Sequence, residues 1–238
     1  MRAPHHVLVI AVAVSSLATP SAALAQSEQQ LRDELERAEA AMAATDIDQA
    51  LTLLQGLAAR LTLATPRDLF VDAQVHLATL RWATGSLDSA AMHFAAAIRR
   101  DAFLELDTLR YNPDLRAHFA DVKRRTVAVA IRIPDDTLID PESDSWLVQM
   151  AVGRPSAVDV RLRRVAPPGS DTLAQVIALD STTSFAIKFE PKDSVPLVSR
   201  DYVIVASVPG AVDSVRFRVV RQEVDTLPHE RPLDPAGF

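Results

Sequence analysis

The sequence predicts an α+β chain of two domains, a helical one followed by an antiparallel β-sandwich. Three observations carry that expectation. Up to about residue 125, apolar residues recur at the three-and-four spacing of an amphipathic helix, and β-branched residues are sparse. Beyond Lys123-Arg124-Arg125, Val and Ile dominate and the period drops to two. That second half is also cut by Pro, Gly, Asp and Ser loops into seven short segments, the pattern of an all-β sandwich. The implied organisation is a leader over 1–25, a helical domain over 26–125, a sandwich over 126–224 and a Pro-rich tail over 225–238.

The leader reads as a secretory signal peptide. Arg2 supplies the positive start, Val7 to Leu17 an apolar run, and Ala23-Leu24-Ala25 a small-x-small cleavage motif. The run is shorter than the roughly 20 residues that cross a bilayer. The chain has no cysteine, hence neither a lipid-anchored start nor a disulfide. A periplasmic or secreted protein is expected, cleaved after about Ala25 and with no membrane insertion afterwards.

Helices follow in order. The first, about Ser27 to Ala44, stripes Leu31, Leu35, Ala38 and Met42. Asp46 caps a second, with Ala50, Leu53, Leu54, Leu57 and Leu61 inward. Thr65-Pro66-Arg67-Asp68 opens a third, carrying Val71, Val75, Leu77, Ala78 and Trp82. Gly85 breaks it and Ser86 caps the fourth, which carries Leu87, Ala90, Ala91, Phe94 and Ile98. Asn112-Pro113 starts a short fifth with Leu115, Phe119 and Val122.

A repeat organises these helices. Ala44-Thr45-Asp46-Ile47-Asp48-Gln49-Ala50 aligns with Thr84-Gly85-Ser86-Leu87-Asp88-Ser89-Ala90. Around the second copy, Leu77, Ala78, Trp82, Gly85, Ala90 and Phe94 fall in a pattern that resembles the tetratricopeptide repeat, including its A-x3-F spacing. The first copy departs from that pattern, with Thr45 for Gly and Leu54 for Phe. The resemblance covers about residues 28–100. It implies stacked helical hairpins and a concave groove that holds a peptide or protein partner, with Asp72, Gln74, His76 and Arg81 as the groove residues. Two repeats are fewer than the usual three or so, so the segment with Phe103, Leu104, Leu106, Leu109 and Tyr111 is expected to cap the stack.

Seven strands complete the chain: Thr126–Ile133, Ser145–Val152, Ala157–Val165, Thr172–Leu179, Ser184–Glu190, Asp201–Val208 and Ser214–Arg221. Expected inward residues are Val127, Val129, Ile131 and Ile133, then Trp146, Val148 and Met150, then Val158, Val160 and Leu162, then Phe185, Ile187 and Phe189. The stretch Pro196 to Ala206, with Tyr202 opening a strand, resembles the penultimate strand of immunoglobulin-like or fibronectin-type domains, although the usual Gly before the tyrosine is absent.

Composition and motifs narrow the function by exclusion. The formal charge is −6, and −7 without Arg2, which opposes nucleic acid and anionic membranes as partners. The basic residues are 22 Arg and 3 Lys, a balance that with the high alanine content points to a GC-rich bacterial genome. His76, His93, His118 and His229 have no metal-ligand spacing and read as packed or exposed histidines. Asp140, Glu142 and Asp144 have the 1, 3, 5 spacing of a calcium loop but lack its Gly and closing Glu, so they are a weak calcium candidate beside a solvated loop. Arg161, Arg163, Arg164, Arg216, Arg218 and Arg221 read as a solvated sheet face, with an anionic glycan or acidic partner as the sharper alternative. No nucleophile elbow, Gly-rich phosphate loop or cysteine nucleophile is present, so no cofactor and no catalytic residue is assigned. The expectation is a non-enzymatic protein mediating interaction or scaffolding in the cell envelope. The alternative is a carbohydrate- or cell-wall-binding module working through the sandwich.

Overall fold

The computed structural model describes residues 20–133, 145–165, 173–188 and 200–219. Its elements are α1 (Pro20–Ala43), α2 (Ile47–Ala58), α3 (Arg67–Ala83), α4 (Leu87–Arg100), α5 (Pro113–Arg125), β1 (Val129–Arg132), β2 (Ser145–Val152), β3 (Ser156–Arg164), β4 (Leu173–Leu179), β5 (Thr183–Lys188), β6 (Arg200–Val208) and β7 (Ala211–Val219). Helices come first and two antiparallel sheets follow, an α+β fold in two parts. The chain forms two compact units, Met1–Ala73 and Gln74–Phe238, so the division falls inside α3. It does not coincide with the change of period near residue 125, because α4 and α5 belong with the strands.

In the first unit α1 and α2 form an antiparallel hairpin. Leu35, Ala38 and Ala41 on α1 and Ala50, Leu54 and Leu57 on α2 are buried, while the flanking Glu and Arg residues stay in water. Small residues at 38, 41 and 50 let the two backbones approach. Arg60 pairs with Glu34, and Arg32 reaches both Glu28 and Asp68 at 3.0 Å.

The α1–α2 and α3–α4 turns match bond for bond. Thr45 N donates to Met42 O and Asp46 N to Ala41 O, as Gly85 N does to Trp82 O and Ser86 N to Arg81 O. This is a Schellman closure, in which one residue takes the left-handed conformation and the next begins the following helix. Gly85 does so at φ 78°, and Thr45 at φ 60°. Asp46 then accepts from Gln49 N at 3.0 Å, whereas Ser86 stands at the same position without a side-chain cap bond.

In the second unit Phe94 meets Phe119 edge-on, centroids 5.3 Å apart, which fixes α5 on α4. Asn112 caps α5 by accepting from Leu115 N at 2.8 Å, Pro113 fills its first turn, and Lys123, Arg124 and Arg125 offset its C-terminal dipole. The connection before α5 packs Ala102 and Leu106 inward, but Leu109, expected in the cap, is 94% exposed. It lies within a tight turn in which its own N–H donates to Asp107 Oδ1 at 2.8 Å, and there its side chain is turned to water. Leu87 is likewise half-exposed rather than buried, since it begins the first turn of α4.

Helix and sheet join closely within this unit. The backbone at Gly153 lies against the C-terminus of α5: a Cβ there would collide with the Thr126 carbonyl oxygen and press on that of Lys123 at 3.2 Å. Gly153 N also donates to Ala128 O at 3.1 Å. Arg132 of β1 pairs with Asp101 and stacks over Phe103, with Cζ 4.3 Å from the ring centroid. Lys123 Nζ donates to Leu104 O at 2.9 Å.

The three-stranded sheet runs β1-β2-β5 and the four-stranded sheet β4-β3-β6-β7. The chain changes sheet after β2, after β4 and again after β5. Both sheets feed one core: Val129, Ile131, Val148, Met150 and Val152 from the first, Val158, Val160, Leu162, Ile204 and Ala206 from the second. The alternation read from the sequence is therefore the inward set at Val148 and Met150 of β2 and at Val158, Val160 and Leu162 of β3. The side chains of Trp146, Phe185, Ile187 and Phe189 lie outside the described residues. At β1, Ala130 is buried as well as Val129 and Ile131, and so is Ala128 just before it, because this strand is covered on both faces. Asp213 Oδ2 on β7 accepts from Ile131 N at 3.0 Å and so bonds the edge of one sheet to the other.

Candidate interaction site on the α3–α4 hairpin

The four residues expected to line a groove have different surroundings. Asp72, in the first unit, is exposed. Gln74 and His76, in the second, are buried to 7% and 9% exposure, and Arg81 is half-buried. Gln74 and His76 are thus parts of the packed interior rather than an open face. The helical period hid this, because α3 is buried without a break from Ala73 to Ala78 and has no single apolar stripe.

What the structure does bring together is Gln74, Arg81 and His93. Gln74 and Arg81 are seven residues apart, two turns along the same side of α3. From α4, His93 Nδ1 donates to Gln74 Oε1 at 2.8 Å, a cross-helix bond that neither helix could supply alone. Burial, and then the positive charge of Arg81, hold the His93 imidazole below its usual pKa and keep it neutral near pH 7. Arg81 Nε is buried with no hydrogen-bond partner among the described residues. A guanidinium left with a free donor beside a neutral imidazole is suited to donating to an anionic or carbonyl oxygen. His93 was visible in the sequence as a histidine on the partner helix, but its pairing with Gln74 required the register of the hairpin.

The other candidates fall elsewhere. Asp140, Glu142, Asp144 and His229 lie outside the described residues. No group of three or more His, Cys, Asp or Glu residues that could hold a metal ion occurs among the described residues. His118 stacks at a tilt near Phe94, 6.2 Å between centroids. Arg161, Arg163 and Arg216 share the outer face of the four-stranded sheet, and Arg161 is tied to Asp159 of its own strand at 2.8 Å. Tyr202 belongs to the core, 7% exposed and stacked on Phe217 at 5.9 Å, so it is not a surface platform for a sugar ring.

Comparison with known proteins gives little to place beside this geometry. No protein-family model matches the chain. No curated protein matches it either. Among solved structures, the N-terminal part of the bacterial S-layer protein SbsC is similar at a TM-score of 0.27 and 12% identity. That likeness covers 81% of this chain, which spans 55% of the other. In the described residues no helix is long and apolar enough to cross a membrane.

Proposed function

We propose that the chain is an exported, non-enzymatic interaction protein of the bacterial cell envelope, in which tetratricopeptide-like helical hairpins bind a protein or peptide partner and an immunoglobulin-like sandwich supports them. The observation that carries the reading is the repeated closure at Thr45 and Gly85, with the same hydrogen bonds forty residues apart. Repeated helix hairpins of this kind build binding surfaces by stacking. The division into three and four strands, with changes of sheet after β2, β4 and β5, supports the sandwich. Export rests on the leader, and Ala23-Leu24-Ala25 lies within the first turns of α1 as the uncleaved chain folds.

On this reading Arg81, held near the Gln74–His93 pair, contacts an acidic or carbonyl group of the partner. The test uses the mature protein as bait in envelope extract. Wild type should enrich a partner, and Arg81→Glu should lose at least ten-fold of it while melting at the same temperature. Equal capture by both proteins would remove Arg81 from the binding surface, and no capture by either would overturn the interaction reading.

A further inference from the structure

The two edges of the four-stranded sheet are treated differently. At β7 the edge is guarded, since Asp213 turns its carboxylate to Ile131 N and so binds β7 to β1. At β4 no comparable tie occurs among the described residues. Its inner side pairs with β3 from Leu173 to Leu179, and its outer side has no strand partner among the described residues. Ala174, Gln175, Val176 and Ala178 are exposed, Val176 to 69%. The seven residues Leu-Ala-Gln-Val-Ile-Ala-Leu contain no charge, no Pro and no Gly. Such an edge lacks the charges, bulges and prolines by which sheets ordinarily refuse a further strand.

The order of residues says what fits there. Read backwards, β4 is Leu-Ala-Ile-Val-Gln-Ala-Leu, nearly the same string. An antiparallel pair of two β4 strands centred on Val176 sets Leu173 opposite Leu179, Ala174 opposite Ala178, Gln175 opposite Ile177 and Val176 opposite itself. A two-fold interface requires this self-complementarity of a single patch. A one-residue slip would turn the exposed Ala174, Val176 and Ala178 set against the opposite face of its partner, which fixes the register.

We infer that β4 is a homodimerisation edge: a second copy of this chain adds its β4 antiparallel about Val176, making one eight-stranded sheet. This interface is independent of the binding reading for the helices. Val176 at the dyad makes it testable. By light scattering after size exclusion, the full chain should have twice the mass of one copy. Val176→Lys and Val176→Glu should each be monomeric, because each sets two like charges face to face. Mixing them one to one should restore the dimer, as Lys then faces Glu. Val176→Cys, the sole cysteine in the chain, should form a disulfide-linked dimer under mild oxidation, since directly opposed strand residues lie within disulfide reach. Val212→Lys, at an equally exposed position on β7, should stay dimeric. A monomeric wild type, a dimer unaffected by Val176→Lys, or charge variants that fail to recombine would each overturn the inference. Circular dichroism melting confirms that every variant is folded.

Discussion

At the scale of single residues, the clearest strain lies at Thr45. It adopts the left-handed conformation that Gly85 adopts in the matching turn. A residue with a Cβ is disfavoured there by roughly 1–2 kcal/mol, because Cβ crowds the following carbonyl. Thr45→Gly should therefore raise stability by about 0.5–1 kcal/mol after the extra chain entropy of glycine is counted. Gly85→Ala should lower it by about 1 kcal/mol through backbone strain alone, since no neighbour lies within 4 Å of the added Cβ. Urea unfolding of the two variants measures both signs. His93 supplies a second residue-scale expectation. Its folded pKa is depressed by burial and by Arg81, so the unfolded chain takes up the proton first as pH falls. Stability should be flat above the unfolded value near 6.5, then decline as pH drops below it, levelling once the folded form also protonates. In His93→Gln that acid-side decline should shrink in a series of melting temperatures from pH 8 to 5. An unchanged profile would show that His93 titrates alike in both states. The exposed Asp68 acts in the other direction: burial opposes its charge, but the hydrogen bond from Arg32, the backbone N–H of Leu69 and the Arg32 charge together hold it below the usual carboxylate range. Its contribution is present at neutral pH and disappears only in strong acid.

The elements were largely legible because each is governed by a local rule. Asp46 and Asn112 announce helix starts by their capping oxygens, and both accept the expected backbone N–H. Val158, Val160 and Leu162 alternate with Asp159, Arg161 and Arg163, which is enough to assign the two faces of β3. What escaped the sequence is set by packing between elements. Gln74 and His76 look like groove polar residues on a helical wheel, yet both are buried, and Gln74 is bonded to a residue nineteen positions away. Gly153 gave no sign of its role either. It lies in a bend between β2 and β3, and only the arrangement of α5 against that bend explains why no side chain fits. Gly153→Ala should cost about 3 kcal/mol, the upper part of the overpacking range, because the obstructing atoms are backbone oxygens with little freedom to move. Denaturant unfolding checks the value. A loss under 0.5 kcal/mol would mean that the α5 terminus yields easily.

Considered as a whole molecule, the chain holds its fold without a disulfide. The second unit instead relies on a core shared by two sheets and on polar ties from β1 to the helical connection, such as Arg132 with Asp101 and Phe103. Arg132 is a partly exposed tie, so it positions β1 more than it stabilises it. The change of period near residue 125 marked where helix gives way to strand, but not where compact units divide, since contact between elements is not written in periodicity. The proposed function is a property of this scale: export, followed by partner binding through repeated hairpins. It is tested most directly by placing a photo-crosslinking residue at Met92, which is 66% exposed on α4, in cells that express the full chain. After irradiation the envelope fraction should contain protein that begins at about Gln26, crosslinked to one defined partner. Full-length protein confined to the cytoplasm, or mature protein that yields no adduct from Met92, would contradict the account.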